Sequence, residues 1–165
     1  MSIELKNNEF MNALVREGKY LTFALGHEEY GLEILEVREI IGLMEITAIP
    51  KVPEYVKGVI NLRGKVIPVI DLRLKFSMPK IDYTKETCII VLNVDDKLIG
   101  IIVDKVCEVL DIAKENIEPS PSFGSKVHVD FITGMGKVGD KVKILLNIDK
   151  ILSEDVILAG DIFTK

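Results

Sequence analysis

The sequence predicts an all-β fold with short helices, built as two five-stranded β-barrels related by internal duplication and packed around a shared core. Three observations predict it. Apolar, β-branched runs too short for helices recur along the chain, each bounded by Gly, Pro, Asn or Asp. With Gly31 set against Gly100, an offset of 69, Tyr30, Leu32, Ile34, Val37, Glu39 and Ile40 fall on Ile99, Ile101, Val103, Val106, Glu108 and Val109. With Gly58 set against Gly134, an offset of 76, Val59, Lys65, Val66, Val69, Ile70 and Leu72 fall on Met135, Lys141, Val142, Leu145, Leu146 and Ile148. The change of offset fits an insertion near Pro119-Ser120-Pro121. Units this small are marginal alone and bury a face against each other, leaving an apolar seam where a partner segment fits.

Taken in order, Glu4 to Glu17 has only rough helical periodicity and is expected to form a frayed arm. Tyr20 to Leu25 and Tyr30 to Ile34 read as a hairpin turned by Gly26-His27-Glu28-Glu29. Leu35 to Ile41 is read as a short helical turn ending at Gly42. Ile46 to Ile49 is read as a strand closed by Pro50-Lys51-Val52-Pro53, which no helix crosses. Pro53 to Val56 gives one turn.

Val59 to Asp71 is the central feature, two buried strands joined at Arg63-Gly64. Gly64 can supply the positive φ of a tight hairpin. Arg63, at the tip, reads either as a solvated turn arginine or as a recognition residue on a rigid platform. Asp71 to Phe76 leaves as a short helix.

In the second half Thr87 to Val94 and Leu98 to Val103 are strands around Asp95-Asp96-Lys97. Asp104 to Leu110 is read as a short element like Leu35 to Ile41. Phe131 to Val138 and Lys141 to Ile148 form a last hairpin around Gly139-Asp140, and Asp149 to Leu152 starts a short helix. The domain is thus expected over residues 19–152, with an arm at 1–18 and a tail at 153–165. The first and central hairpins are expected in the same barrel.

Composition excludes several functions. The chain has 165 residues, a net charge of −5 and a pI near 5.2, against a nucleic-acid surface, which needs a basic face. Aromatic residues make up 6% and Trp is absent, a poor platform for stacking single strands. No apolar run is long enough to span a bilayer, and Met1 to Asn8 lacks a signal-peptide core, so the chain is expected in the cytosol. Cys88 and Cys107 sit in apolar runs without Cys-x-x-Cys spacing and read as reduced, small hydrophobes. Two histidines, His27 and His128, leave little for a metal or a Cys/His nucleophile pair. Gly134-Met135-Gly136 lacks the third glycine of a dinucleotide loop, no Gly-x-Ser-x-Gly is present, and no carboxylate pair is tied by a motif. A binding module remains, with no catalytic residue, cofactor or metal expected.

Glu29-Tyr30-Gly31-Leu32-Glu33-Ile34, Val37, Glu39-Ile40-Ile41, Lys57 to Gly64 and Pro68 to Leu72 together resemble the CheW family of bacterial chemotaxis coupling proteins. Ile99 to Asp104 and Asn147 to Leu152 agree, so the resemblance covers about Lys19 to Leu152. It implies two SH3-like barrels and a non-catalytic adaptor that links methyl-accepting chemoreceptors to the histidine kinase CheA in membrane-associated arrays. The alternative is a CheW-like regulatory module of another two-component system; a small β-barrel enzyme is a distant third. Carried over by position, Val37, Glu39, Gly58, Arg63, Thr87 and Val109 are candidates for the partner-facing set. The receptor tip is implied in the groove between barrels and the kinase's regulatory domain at the barrel ends, pseudo-symmetrically. Phe123, after Ser120-Pro121-Ser122, is a further candidate contact. Arg63 and Glu39 are expected to act as a pair.

Overall fold

Eleven strands and short helical turns make up the computed structural model, which describes residues 18–119 and 131–153. The expected arm, the tail beyond 153 and Phe123 lie outside the described residues.

The strands fall into two sheets. One runs β8 (Lys105–Asp111), β1 (Lys19–Leu25), β2 (Glu28–Glu33), β11 (Lys141–Leu146), β10 (Ile132–Val138), β9 (Ile117–Glu118). The other runs β3 (Val37–Gly42), β6 (Cys88–Val94), β7 (Lys97–Val103), β5 (Lys65–Asp71), β4 (Val56–Leu62). Each sheet curls on itself. In the five-stranded one, Ile41 of edge strand β3 and Ile60 of edge strand β4 share a small core with Ile67, Val69, Ile89, Val91 and Ile102. In the six-stranded one, the Ile112 side chain, just past β8, lies over Gly136 of β10.

The duplication is present down to its irregularities. Gly100 pairs with Val69 and Gly31 with Leu145, the two parallel pairings that close the sheets. A side chain at either glycine would collide: a Cβ at Gly31 would stand 2.8 Å from Leu145, and one at Gly100 2.8 Å from Ile89. The register slips by one residue at Arg38 and at its equivalent Cys107, and again at Lys57 and its equivalent Thr133.

The barrels exchange parts. β3 of the first copy pairs with β6 of the second, and β8 of the second pairs with β1 of the first. Each barrel therefore takes its first hairpin from one copy and the rest from the other. The expectation that the first and central hairpins share a barrel is overturned: β1–β2 and β4–β5 lie in different sheets. Two marginal units exchange strands and so bury more apolar surface jointly than side by side.

Alternation along the strands separates two apolar clusters. Ile90, Leu92 and Val94 of β6 and Ile99, Ile101 and Val103 of β7 face the shared core with Leu21, Phe23 and Leu25 of β1. Ile89, Val91 and Ile102 face the interior of their own barrel. Burial on both faces explains why β6 and β7 read as continuous apolar runs. Phe23, Tyr30, Phe76 and Phe131 form a chain of ring contacts at 5.8–6.4 Å through the shared core.

Three local expectations change. Leu35 to Ile41 is a 3₁₀ turn at Ile34–Glu36 followed by strand β3, and Asp104 to Leu110 is a bend at Asp104 followed by strand β8. Each is pulled into a strand by β-branched residues with an open sheet edge beside them. Ile46 to Ile49 contributes only one bridge, Thr47 to Val59, because the proline pair ahead ends the pairing. Asp71 caps the one-turn helix Leu72–Lys75, its carboxylate accepting from the Leu74 N–H at 3.2 Å. Residues 148–153 are helical and bury Ile148, Ile151 and Leu152 in the shared core.

Candidate functional site

The β4–β5 turn sets Arg63. Both turn residues have positive φ, 52° at Arg63 and 86° at Gly64, as a two-residue hairpin of the favoured twist demands. Asn61 holds the turn, its Oδ1 accepting from the Gly64 N–H at 2.8 Å. A non-glycine residue at positive φ is a local cost, and here it aims the guanidinium back over the barrel end.

Glu39 comes from the other edge. It follows the register slip at Arg38 on β3, and alternation puts it on the same face as Ile41, toward the barrel interior. The guanidinium of Arg63 donates to the Glu39 carboxylate in an ion pair. Arg63 is 67% exposed and Glu39 15%, so the pair is half-sunk, the carboxylate below and the guanidinium in solvent.

Below it lies a cleft of about 360 Å³ walled by Leu62, Ile67, Val91 and Leu98, with Arg38 and Lys65 on its rim. Beside the tip Val66 is 53% exposed. The arrangement joins an apolar floor to oriented charges on paired strands, which suits recognition of a protein surface. The thiols are not poised for chemistry: burial pushes Cys88 up to about 11 and Cys107 also upward. Among the described residues no group of three His, Cys, Asp or Glu is placed to hold a metal ion, and no helix is long and apolar enough to cross a membrane.

The structure brings Glu39 and Arg63 together and scatters the other candidates. Val37 is buried at the start of β3. Gly58 has φ +139° and lies against the Thr47 carbonyl. Thr87 is buried, its hydroxyl oxygen accepting from the Thr84 N–H at 2.8 Å ahead of β6. Val109 is half-buried on β8, in the other sheet, against the shared core.

Sequence reasoning missed a second polar site. Lys143 is almost wholly buried and its ammonium lies 2.6 Å from the Glu29 carboxylate. The Lys143 hydrogen bond holds the Glu29 carboxyl below the ordinary carboxylate range, and the Cys107 thiol, which also donates to it, adds to this. The signal was available in the duplication: the two charges stand where the other copy has Ile67 and Leu98.

Residues 19–156 match the model of the CheW-like domain. A chemotaxis protein CheW of Klebsiella aerogenes is 43% identical over 137 residues, which is 83% of this chain and 82% of that protein. One from Helicobacter pylori is 35% identical over 137 residues, with 83% and 82% covered. The crystal structure of the scaffolding protein TtCheW from Thermoanaerobacter tengcongensis superposes with a TM-score of 0.77 at 38% identity, over 82% of this chain and 92% of that one.

Proposed function

The chain belongs to the CheW family, and from that premise we propose that it couples methyl-accepting chemoreceptors to the histidine kinase CheA. It is a chemotaxis scaffold and not an enzyme. The observation that carries the coupling reading is the Arg63–Glu39 pair above an apolar cleft at one barrel end. Two side chains from opposite sheet edges are held in a fixed relation without a reactive group between them. That is an arrangement for complementarity to a partner surface.

In this reading the regulatory domain of the kinase docks at the barrel ends and the helical receptor tip lies in the groove between barrels. Val37, Glu39, Gly58, Arg63, Thr87, Val109 and Phe123 are the proposed partner-facing set. The buried members, Val37, Gly58 and Thr87, serve it by fixing the strands, Val37 at the start of β3, Thr87 just ahead of β6 and Gly58 within β4 against Thr47, and not by contact. Recruitment to membrane-associated arrays follows from binding the receptor.

The test is a mixing experiment with an intact CheA-type kinase and receptor cytoplasmic fragments, read by co-sedimentation and by kinase autophosphorylation. A ternary complex with receptor-dependent kinase control is expected. Binding to neither partner would remove the coupling reading.

A further inference from the structure

We propose that the Glu29–Lys143 pair is a specificity determinant that makes the two barrel mouths unlike. The kinase face that fits the Arg63 mouth is thereby refused at the other. This rests on the coupling reading and adds to it the residues that give docking one orientation.

The duplication supplies the comparison. Every residue around the Arg63 cleft has an equivalent at the end of the six-stranded barrel. Val66 corresponds to Val142, and both are 53% exposed. Glu39 corresponds to Glu108 and Lys65 to Lys141. The backbones agree as well, with the same register slip beneath each mouth. A partner that reads strands, an exposed valine and a glutamate meets two similar targets on one chain.

Four substitutions between the copies break the likeness. Ile67 and Leu98 on the apolar floor become Lys143 and Glu29, joined at 2.6 Å. Val91 becomes Thr22, whose hydroxyl donates to the Glu108 carbonyl at 2.9 Å and accepts from the Glu108 N–H at 3.1 Å. Arg63 becomes Gly139, at φ +60° against 52°. An apolar anchor seated on this second mouth would strip water from Glu29, which is 26% exposed. It would return nothing to the carboxylate, and such desolvation counts against binding.

The fold does not require the pair. The same backbone positions in the other copy hold Ile67 and Leu98 and close a barrel of the same register. Replacing a buried ion pair by apolar residues of similar size is often neutral or stabilising, whereas removing one partner is not. What the chain keeps by retaining the pair is a difference between its two ends.

The test grafts one mouth onto the other. Arg63→Glu disables the first mouth, and affinity for the intact CheA-type kinase is expected to fall at least tenfold by titration calorimetry. Adding Glu29→Leu, Lys143→Ile and Gly139→Arg to that variant installs the equivalents of Leu98, Ile67 and Arg63 on the second mouth. At least a tenfold recovery of affinity is expected. The graft without Arg63→Glu is expected to bind more kinase per chain than wild type. In parallel, Glu29→Leu/Lys143→Ile should melt at or above the wild-type temperature while each single change melts below it. Recovery of less than threefold by a graft that melts like wild type would overturn the proposal. So would a double variant that melts far below wild type, which would make the pair structural. Wild-type protein that binds no kinase at all would instead sink the coupling reading on which this depends.

Discussion

Arg63 and Glu39 meet although they sit on opposite edges of the five-stranded sheet, one at the tip of β4–β5 and the other on β3. They meet because the sheet curls until its edges face each other, and β3 reaches that edge by leaving the copy's first hairpin behind in the other sheet. The pair is thus a product of strand exchange. Its surface position limits it to about 0–1 kcal/mol of stability.

Arg63→Ala is therefore expected to lower the melting temperature by no more than a few degrees and to weaken kinase or receptor binding at least tenfold. Glu39→Ala should do the same to the same partner, and the double variant should lose no more than either single one. Side-by-side binding isotherms and thermal melts check this. Unchanged affinity for both partners would show Arg63 to be an ordinary turn arginine.

Gly58→Ala tests a backbone requirement. Gly58 has φ +139°, and a Cβ there would stand 1.9 Å from the Thr47 carbonyl oxygen. That carbonyl accepts from the Val59 N–H at 2.9 Å, and Thr47 N–H donates back to Val59 at 2.9 Å. The substitution must break this bridge or shift β4, at a cost of about 2–4 kcal/mol. Chemical denaturation should show it in the midpoint. Loss of binding in a variant as stable as wild type would assign Gly58 to the contact surface instead.

Arg73 ties the two copies together. Its guanidinium donates to Asp104 at 2.7 Å and to the Pro79 carbonyl at 3.1 Å, and Asp104 also accepts from the Gly26 N–H at 2.8 Å. Arg73 and Asp104 side chains are 11% and 21% exposed. Arg73→Ala leaves the Asp104 carboxylate half-buried with one backbone donor, and a loss of about 2–3 kcal/mol is expected. Arg73→Lys should recover only part, because an ammonium does not reproduce the planar fork that spans Asp104 and Pro79. Denaturation midpoints of the two variants decide it.

The duplication was legible because glycines are forced where a parallel strand closes the sheet, and Gly31 and Gly100 carry that constraint in both copies. The exchange was not legible. Strand periodicity tells which face is buried but not which copy supplies the neighbour. Leu35 to Ile41 reads as a helical turn for a related reason: Arg38 and Glu39 interrupt the alternation, and the interruption is the register slip that places Glu39 in the site. The Arg63–Glu39 pairing was inferred from the right residues by way of the wrong barrel. Glu29 and Lys143 are separated by more than a hundred residues, and only the offset between copies would have flagged them.

Glu36 gives a pH dependence with a definite sign. Burial on the 3₁₀ turn raises its carboxyl to about 7, and the charges of Asp149 and Glu33 push the same way. The folded protein then holds a proton that the unfolded chain releases near its ordinary value of 4.5. Below that value both states are protonated and the group contributes no pH dependence. Between there and about 7 the folded state binds more protons, so stability falls as pH rises and levels off above. Glu36→Gln removes the charge that the site resists. It is expected to leave stability nearly unchanged at about pH 4.5 and to raise it by about 1–3 kcal/mol at pH 8. Asp149→Asn should give a smaller gain at pH 8, since it removes only one of the neighbouring charges. Denaturation midpoints of the three proteins across this range check both the direction and the order. A Glu36→Gln gain of equal size at both ends would locate the effect in packing and not in the proton.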